Sequence, residues 1–212
     1  STRKRTLFPY TTLFRSLRQG KHATMALVCS LSVARLPRPK IRTRPRGRLS
    51  GRFKAVTIHY RWALASDYKE LGDVMFDAVR NGPSLYTEMQ REAWVEAPRQ
   101  GSEWDERLTG QSIAVAELES RIVGFMSLMP DGYLDFAYIR PDHQGTGVFR
   151  KLYDMLLDLA HEQKLSRIYV HASLRAQPAF SAHGFEIIKK ETVTLNEQEF
   201  DRFEMQFLMP SL

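Results

Sequence analysis

The sequence has 212 residues, a net charge of +7 and a single cysteine, Cys29. No apolar run approaches the ~20 residues that a membrane span requires, so the chain reads as one soluble domain preceded by an unusual first quarter. One cysteine, lying in that first quarter, excludes disulfides, cysteine metal sites and a cysteine nucleophile in the remainder.

The basic balance is not a nucleic-acid signature of the whole chain. Residues 1–54 hold 15 Lys and Arg and no acid, whereas residues 55–212 hold 16 Lys and Arg against 24 Asp and Glu, a net of −8. The positive charge belongs to an arm, and the body is acidic. The arm's Pro and Arg spacing from Leu36 to Arg48 has neither helical nor strand period, and such composition buries too little apolar surface to offset ordering entropy, so residues 1–54 are expected to be disordered. Residues 6–16 resemble an in-frame translation of a sequencing adapter, and residues 1 to about 16 are read as an artefact. From Met25 to Phe53 the Arg-rich, acid-free stretch fits a transit peptide, a nucleic-acid arm or translated upstream sequence.

The body begins at Ala55. Val56, Ile58 and Tyr60 alternate with polar residues and predict a half-buried strand. Ser66 and Asp67 can cap a helix whose face carries Tyr68, Leu71, Met75, Ala78 and Val79 and which Asn81-Gly82-Pro83 closes. Thr87–Val95 predicts a second helix, and Ser102 with Asp105 begins a third. Tyr86, Trp94 and Trp104 in this region are read as core, with a substrate-lining role as the alternative.

Three strand signals follow, at Ser112–Leu118, Arg121–Met129 and Tyr133–Ile139, joined by Glu119-Ser120 and Asp131-Gly132 into an antiparallel meander. Phe149, Leu152, Tyr153, Leu156, Leu157 and Ala160 then mark an amphipathic helix. A strand at Arg167–Ala172 should lie parallel to Tyr133–Ile139 through a right-handed crossover. A short helix, Gln177–His183, and a strand pair at Phe185–Glu191 and Phe203–Met209 complete the chain.

Between the third meander strand and the long helix stands His143-Gln-Gly-Thr-Gly-Val-Phe-Arg150. Two glycines fall where a strand turns into a helix, and a helix N-terminus offers unpaired N–H groups and the positive end of a dipole, so the junction suits an anion such as phosphate. The dinucleotide fingerprint fails because Arg150 stands where its third glycine is needed, and the P-loop's Gly-Lys-Ser/Thr is absent. A capping turn without a ligand is the alternative.

Gln144-x-x-Gly147-x-Phe149 resembles the Arg/Gln-x-x-Gly-x-Gly/Ala loop of the GCN5-related N-acetyltransferases (GNAT), which holds the pyrophosphate of acetyl-CoA. The order of elements resembles that family along the whole body, and Ala172-Ser173, Ala176, Pro178, Phe180, Gly184-Phe185 and Phe203-x-Met205 are similar to a subgroup of small bacterial members. The resemblance implies an α/β fold of the GNAT acyl-CoA N-acyltransferase type, with a central, mostly antiparallel sheet and one parallel β-α-β unit. It implies an acyltransferase moving acetyl from acetyl-CoA to a primary amine of a small molecule or peptide by direct attack, with a catalytically weak CoA-binding or sensing module as the alternative.

The same resemblance assigns residues. Gln144, Gly145, Thr146, Gly147, Val148, Phe149 and Arg150 would hold the diphosphate, the Ala137-Tyr138-Ile139 edge the pantetheine, and Ser173 a further cofactor contact near the place of a family Asn. Strand alternation puts Tyr133, Asp135 and Ala137 on one face; Tyr133 stands where the family often has a Glu, which leaves Asp135 as candidate base, or as a carboxylate paired with a neighbouring cation. Tyr133, Asp135 and Ser173 are thus the catalytic candidates. Phe180 occupies the place of the usual acid Tyr and cannot donate, and Phe149 replaces Gly or Ala beside the cofactor. His171 and His183 are further catalytic candidates, more simply read as core or rim residues. No metal is expected, the location implied is cytoplasmic, and the partners are an amine substrate and a second copy in a homodimer, with no membrane and no nucleic acid.

Overall fold

The computed structural model describes residues 57–210; the basic arm and the adapter-like start lie outside the described residues. Strand β1 (His59–Trp62) pairs antiparallel with β2 (Ser112–Leu118), and helices α1 (Tyr68–Arg80), α2 (Glu88–Trp94) and α3 (Ser102–Leu108) are inserted between them. Of the predicted stripe of α1, Leu71, Met75, Ala78 and Val79 are buried, with Val74 beside them, and Tyr68 is half-buried. Helix α2 opens with a capping box: the Thr87 hydroxyl accepts the Gln90 N–H while the Gln90 side chain accepts the Thr87 N–H.

Strands β2, β3 (Arg121–Leu128) and β4 (Leu134–Ile139) form the expected meander, in the order β1-β2-β3-β4. Helix α4 (Val148–Glu162) leads to β5 (Arg167–Ser173), α5 (Gln177–Ala182), β6 (Glu186–Leu195) and β7 (Gln198–Leu208), and the second sheet has the order β5-β7-β6. The last hairpin is longer than its sequence suggests. The stretch 192–202, expected as a connection, is strand on both sides of a tight turn at Asn196 (φ 46) and Glu197 (φ 63). Left-handed residues at both turn positions match the twist of the flanking strands, but without glycine the turn has only Asn196 as its signal.

The two sheets meet at one parallel bridge, Tyr133 to Tyr169, where the Tyr169 N–H donates to the Gly132 carbonyl at 3.0 Å. The expected parallel pairing is reduced to this vertex. Gly132 has φ 89°, and a Cβ there would stand 2.4 Å from the Arg167 carbonyl oxygen, so glycine lets the strands touch. Beyond the bridge β4 and β5 part, and the outer edge of β4 has no strand partner among the described residues.

Each face of β2–β4 carries its own core. Val148, Leu152, Leu156 and Ala160 of α4 pack with Ala114, Ala137, Ile139 and Val170, while Leu71 and Val74 of α1 and Trp104 of α3 pack with Phe125, Phe136 and Tyr138. A bulge in β4 decides which residues face where. Met126 opposes Ala137 and Leu128 opposes Leu134, so three steps of β4 span two of β3, and the Phe136 N–H donates to the Ser127 hydroxyl at 3.1 Å. Leu134 and Ala137 therefore both face α4. The expectation that Asp135 and Ala137 share a face is corrected: the extra residue shifts the alternation, and Asp135 points to the opposite side, toward α3.

Candidate active site

The loop after β4 is built by local hydrogen bonds. Arg140, 8% exposed, donates from Nε to the Ile122 carbonyl and from Nη1 to Asp77 of α1, fixing the end of the strand. The Gln144 amide returns to the Ile139 carbonyl at 2.9 Å, and the Thr146 hydroxyl donates to the His143 carbonyl at 2.7 Å. Gly145 (φ 73) and Gly147 (φ 90, ψ 0) take the left-handed conformation that side-chain-bearing residues avoid, and Gly147 is the N-cap of α4. Gly145, Thr146 and Gly147 are exposed, and a Cβ on either glycine would meet no atom within 4 Å. The first turn of the 15-residue helix carries no acid. An open, acid-free helix N-terminus is the geometry an anionic group requires.

Phe149 turns away from that opening. Its ring stacks on Tyr153 (6.3 Å, 12°) and meets Phe180 and His183 edge-on at 5.5 and 4.9 Å, joining α4 to α5. Val148 is buried and Arg150 exposed. Phe180 is fully buried, and its ring has no proton to donate.

The groups on the other side of the vertex are polar. Asp135, 2% exposed, receives Arg107 Nη2 at 2.9 Å, Arg107 Nε at 3.2 Å and Gln111 Nε2 at 2.9 Å. Of its two open readings, the geometry is that of a paired carboxylate. The Tyr133 hydroxyl lies 3.2 Å from His171 Nδ1, and burial, then the charge of Asp135, pushes this phenol well above its ordinary range. His171 Nε2 lies 3.7 Å from Glu191 Oε1, and Glu191 also takes Arg202 Nε at 2.7 Å and Lys189 Nζ at 2.9 Å. Ser173 is buried, its hydroxyl accepting the Ala176 N–H at 3.1 Å and shaping the turn into α5.

Burial alone would raise the Glu191 carboxyl, but hydrogen bonds from Lys189 and Arg202 outweigh it and pull the group down to about 2. A carboxyl depressed by folding stabilises above its unfolded value, near 4.3, and loses that contribution as pH falls toward 2. The wild type should therefore lose more stability than Glu191→Gln between pH 5 and 2.5, measured as the fall in urea midpoint. Equal falls would contradict this.

Tyr86, Trp94 and Phe200 pack edge to edge at 5.3–5.9 Å, and Trp104 donates to the Tyr68 carbonyl at 2.7 Å, which makes these aromatics core. Sequence reasoning missed Arg107, Gln111, Arg140, Glu191 and Arg202. The one local hint was an arginine on the inward face of an alternating strand, at Arg202; the other pairings join residues far apart in the chain.

Residues 83–206 match the family model for the acetyltransferase (GNAT) domain. The chain belongs to the GNAT acetyltransferase family. Its membership makes it an acyltransferase with acetyl-CoA as cosubstrate. The uncharacterized N-acetyltransferase YafP of Escherichia coli (strain K12) is 28% identical over 151 residues, covering 71% of this chain and 95% of that protein. A GCN5-related N-acetyltransferase from Rhodopseudomonas palustris superposes with a TM-score of 0.65 at 28% identity, covering 72% of this chain and 96% of that one. The PaiA N-acetyltransferase of Thermoplasma acidophilum, solved in complex with coenzyme A, superposes with a TM-score of 0.55 at 16% identity, covering 72% and 99%.

The loop geometry of this acetyltransferase predicts the behaviour of Phe149. Phe149→Ala should cost about 3 kcal/mol of stability, the low end for a Phe truncation because the ring is only partly buried, and leave acetyl-CoA affinity within about twofold. Denaturant unfolding and calorimetry check both; a clearly tighter complex would show that the ring intrudes on the cofactor.

Proposed function

We propose that this chain moves the acetyl group of acetyl-CoA to a primary amine of a small molecule or peptide by direct attack of the amine nitrogen. The diphosphate would lie on the backbone amides of Gly145 to Arg150, and the pantetheine along the edge of β4 from Ala137 to Ile139. The observation that carries this reading is the wedge: β4 and β5 part beyond the Tyr133–Tyr169 bridge at the start of β4, and the open N-terminus of α4 follows the far end of β4. Bound there, the cosubstrate supplies an activated acyl carbon. The β4 edge is suited to donate a backbone N–H to the developing oxyanion, a contribution typically worth about 3 to 4 kcal/mol.

The acceptor would enter on the polar side, over Tyr133, His171 and Asp135, where the acidic body favours approach of a cation. No helix among the described residues is long and apolar enough to cross a membrane. Cytoplasmic action on diffusing amines, and pairing of two copies, are part of the proposal. Buried Phe180 favours a second reading, a CoA-binding module with weak turnover. Calorimetric titration of acetyl-CoA into the full chain, followed by thiol detection over an amine panel, separates them. Saturable binding with amine-dependent thiol release is expected; binding without release selects the module, and no binding overturns both.

A further inference from the structure

Taking that acyl transfer as the reaction, the acceptor amine must lose a proton, and an alkylammonium with pKa near 10.4 is seldom neutral at pH 7. The groups around the polar side of the vertex narrow what can accept it. From α3 comes Arg107, from β4 Tyr133 and Asp135, from the turn before β4 Asp131, from β5 Tyr169 and His171, from β6 Lys189 and Glu191, and from β7 Arg202 and Glu204, the last facing His171 across the strand pair. The arginines stay charged. Tyr133 and Tyr169 are held protonated by burial, Tyr169 also by its bond to Asp131 at 2.7 Å. Asp135 is engaged by three donors, and Glu191 is held as the anion by Arg202 and Lys189. Lys189 is itself a cation, and Glu204 is a carboxylate, a far weaker base than an imidazole.

We propose that His171 is the general base of this acetyltransferase: Nδ1–H donates to the Tyr133 hydroxyl oxygen and fixes the ring, so Nε2 carries the lone pair that takes the amine proton, and Glu191 faces the imidazolium that forms. The side chain is 12% exposed, so it is reachable from the polar side without being loose, and Nε2 stands 3.7 Å from the Glu191 carboxylate. Protonation at Nε2 thus completes an ion pair already in place. In the balanced step the ammonium passes one proton to His171, the nitrogen so freed bonds to the thioester carbonyl carbon, and the carbon–sulfur bond breaks. The thiolate leaves with the bonding electrons and takes up the nitrogen's second proton through water, while His171 returns its own proton to water.

The test uses the full chain, acetyl-CoA, and three acceptors: spermidine, tyramine and a tripeptide with a free N-terminus. For wild type, kcat should rise through a limb in the imidazole range, and Glu191→Gln should move that limb to lower pH because the carboxylate that favours imidazolium is gone. His171→Gln should lower kcat on the order of 100-fold or more, bind acetyl-CoA as wild type does, and show a rate that climbs only with deprotonation of the free amine. NMR of ¹³C-labelled histidine, with the His171 signal assigned by its loss in His171→Gln, should show that imidazole titrating with a midpoint that falls in Glu191→Gln. Wild-type turnover matched by His171→Gln overturns this inference alone. Wild type that binds acetyl-CoA but acetylates none of the acceptors overturns the functional reading and this one with it. Should His171→Gln fail to fold, the signal is assigned through Tyr133→Phe, and an imidazole that does not titrate between pH 5 and 9 overturns the inference.

Discussion

Gly147→Val is expected to weaken acetyl-CoA binding by about ten- to a hundredfold while moving the unfolding midpoint little. Gly147 caps α4 at φ 90 and ψ 0, a conformation a β-branched residue avoids. The position is exposed and a Cβ there meets no neighbour within 4 Å, so the folded core has nothing to clash with. The substituted loop instead relaxes out of the left-handed region, and the binding geometry must be re-formed at a cost of about 1 to 3 kcal/mol, which converts to that loss of affinity. Thr146→Ala, which removes only the hydroxyl bond to the His143 carbonyl, should change affinity far less. Calorimetry on both variants checks the pair. Equal affinities for wild type and Gly147→Val would mean that the cofactor does not use this turn.

Arg107→Ala costs about 3 to 5 kcal/mol of folding free energy, read as a fall in urea midpoint at unchanged m. The reason lies in what remains: Asp135, 2% exposed with Arg107 in place, keeps only Gln111 among its present donors. The guanidinium also lies 5.1 Å above the Phe136 ring, so packing is lost with charge. Replacing both partners with apolar residues, Arg107→Met with Asp135→Leu, should recover much of the loss, because no buried charge is then left alone. Double-variant stability as poor as Arg107→Ala alone would show that Asp135 has a requirement beyond pairing. The same experiment separates its two readings, since a strut can be replaced by packing and a base cannot.

Periodicity made the helices and the meander legible, because each is a local pattern: Leu71 to Val79 and Leu152 to Ala160 announce their faces within a few turns. The loop was legible too, since Gly145 and Gly147 mark a turn that only glycine adopts freely. Three features were not, each for a physical reason. The bulge at Asp135 and Phe136 adds one residue without a glycine or proline to flag it, and that single step moved Asp135 to the other face of the sheet. The Asn196-Glu197 turn lacks glycine, so the distal part of the last hairpin read as a loop. The polar side is made of pairs such as Arg107 with Asp135 and Tyr133 with His171, 28 and 38 residues apart, and nothing local in either partner specifies the other. Phe149 shows the converse: its departure from the family pattern was visible, but only the ring's position against Tyr153, Phe180 and His183 shows what the departure does.

The most direct test of the account is whether the acetyl group leaves acetyl-CoA and appears on an amine nitrogen. Mass spectrometry of spermidine, tyramine and a free-N-terminal tripeptide, incubated with acetyl-CoA and the full chain, should show at least one acceptor heavier by a single acetyl group, with free thiol released in equal amount and both signals lost in Gly147→Val at low acetyl-CoA. Acetyl-CoA left intact by wild type with every amine, although bound, would contradict it.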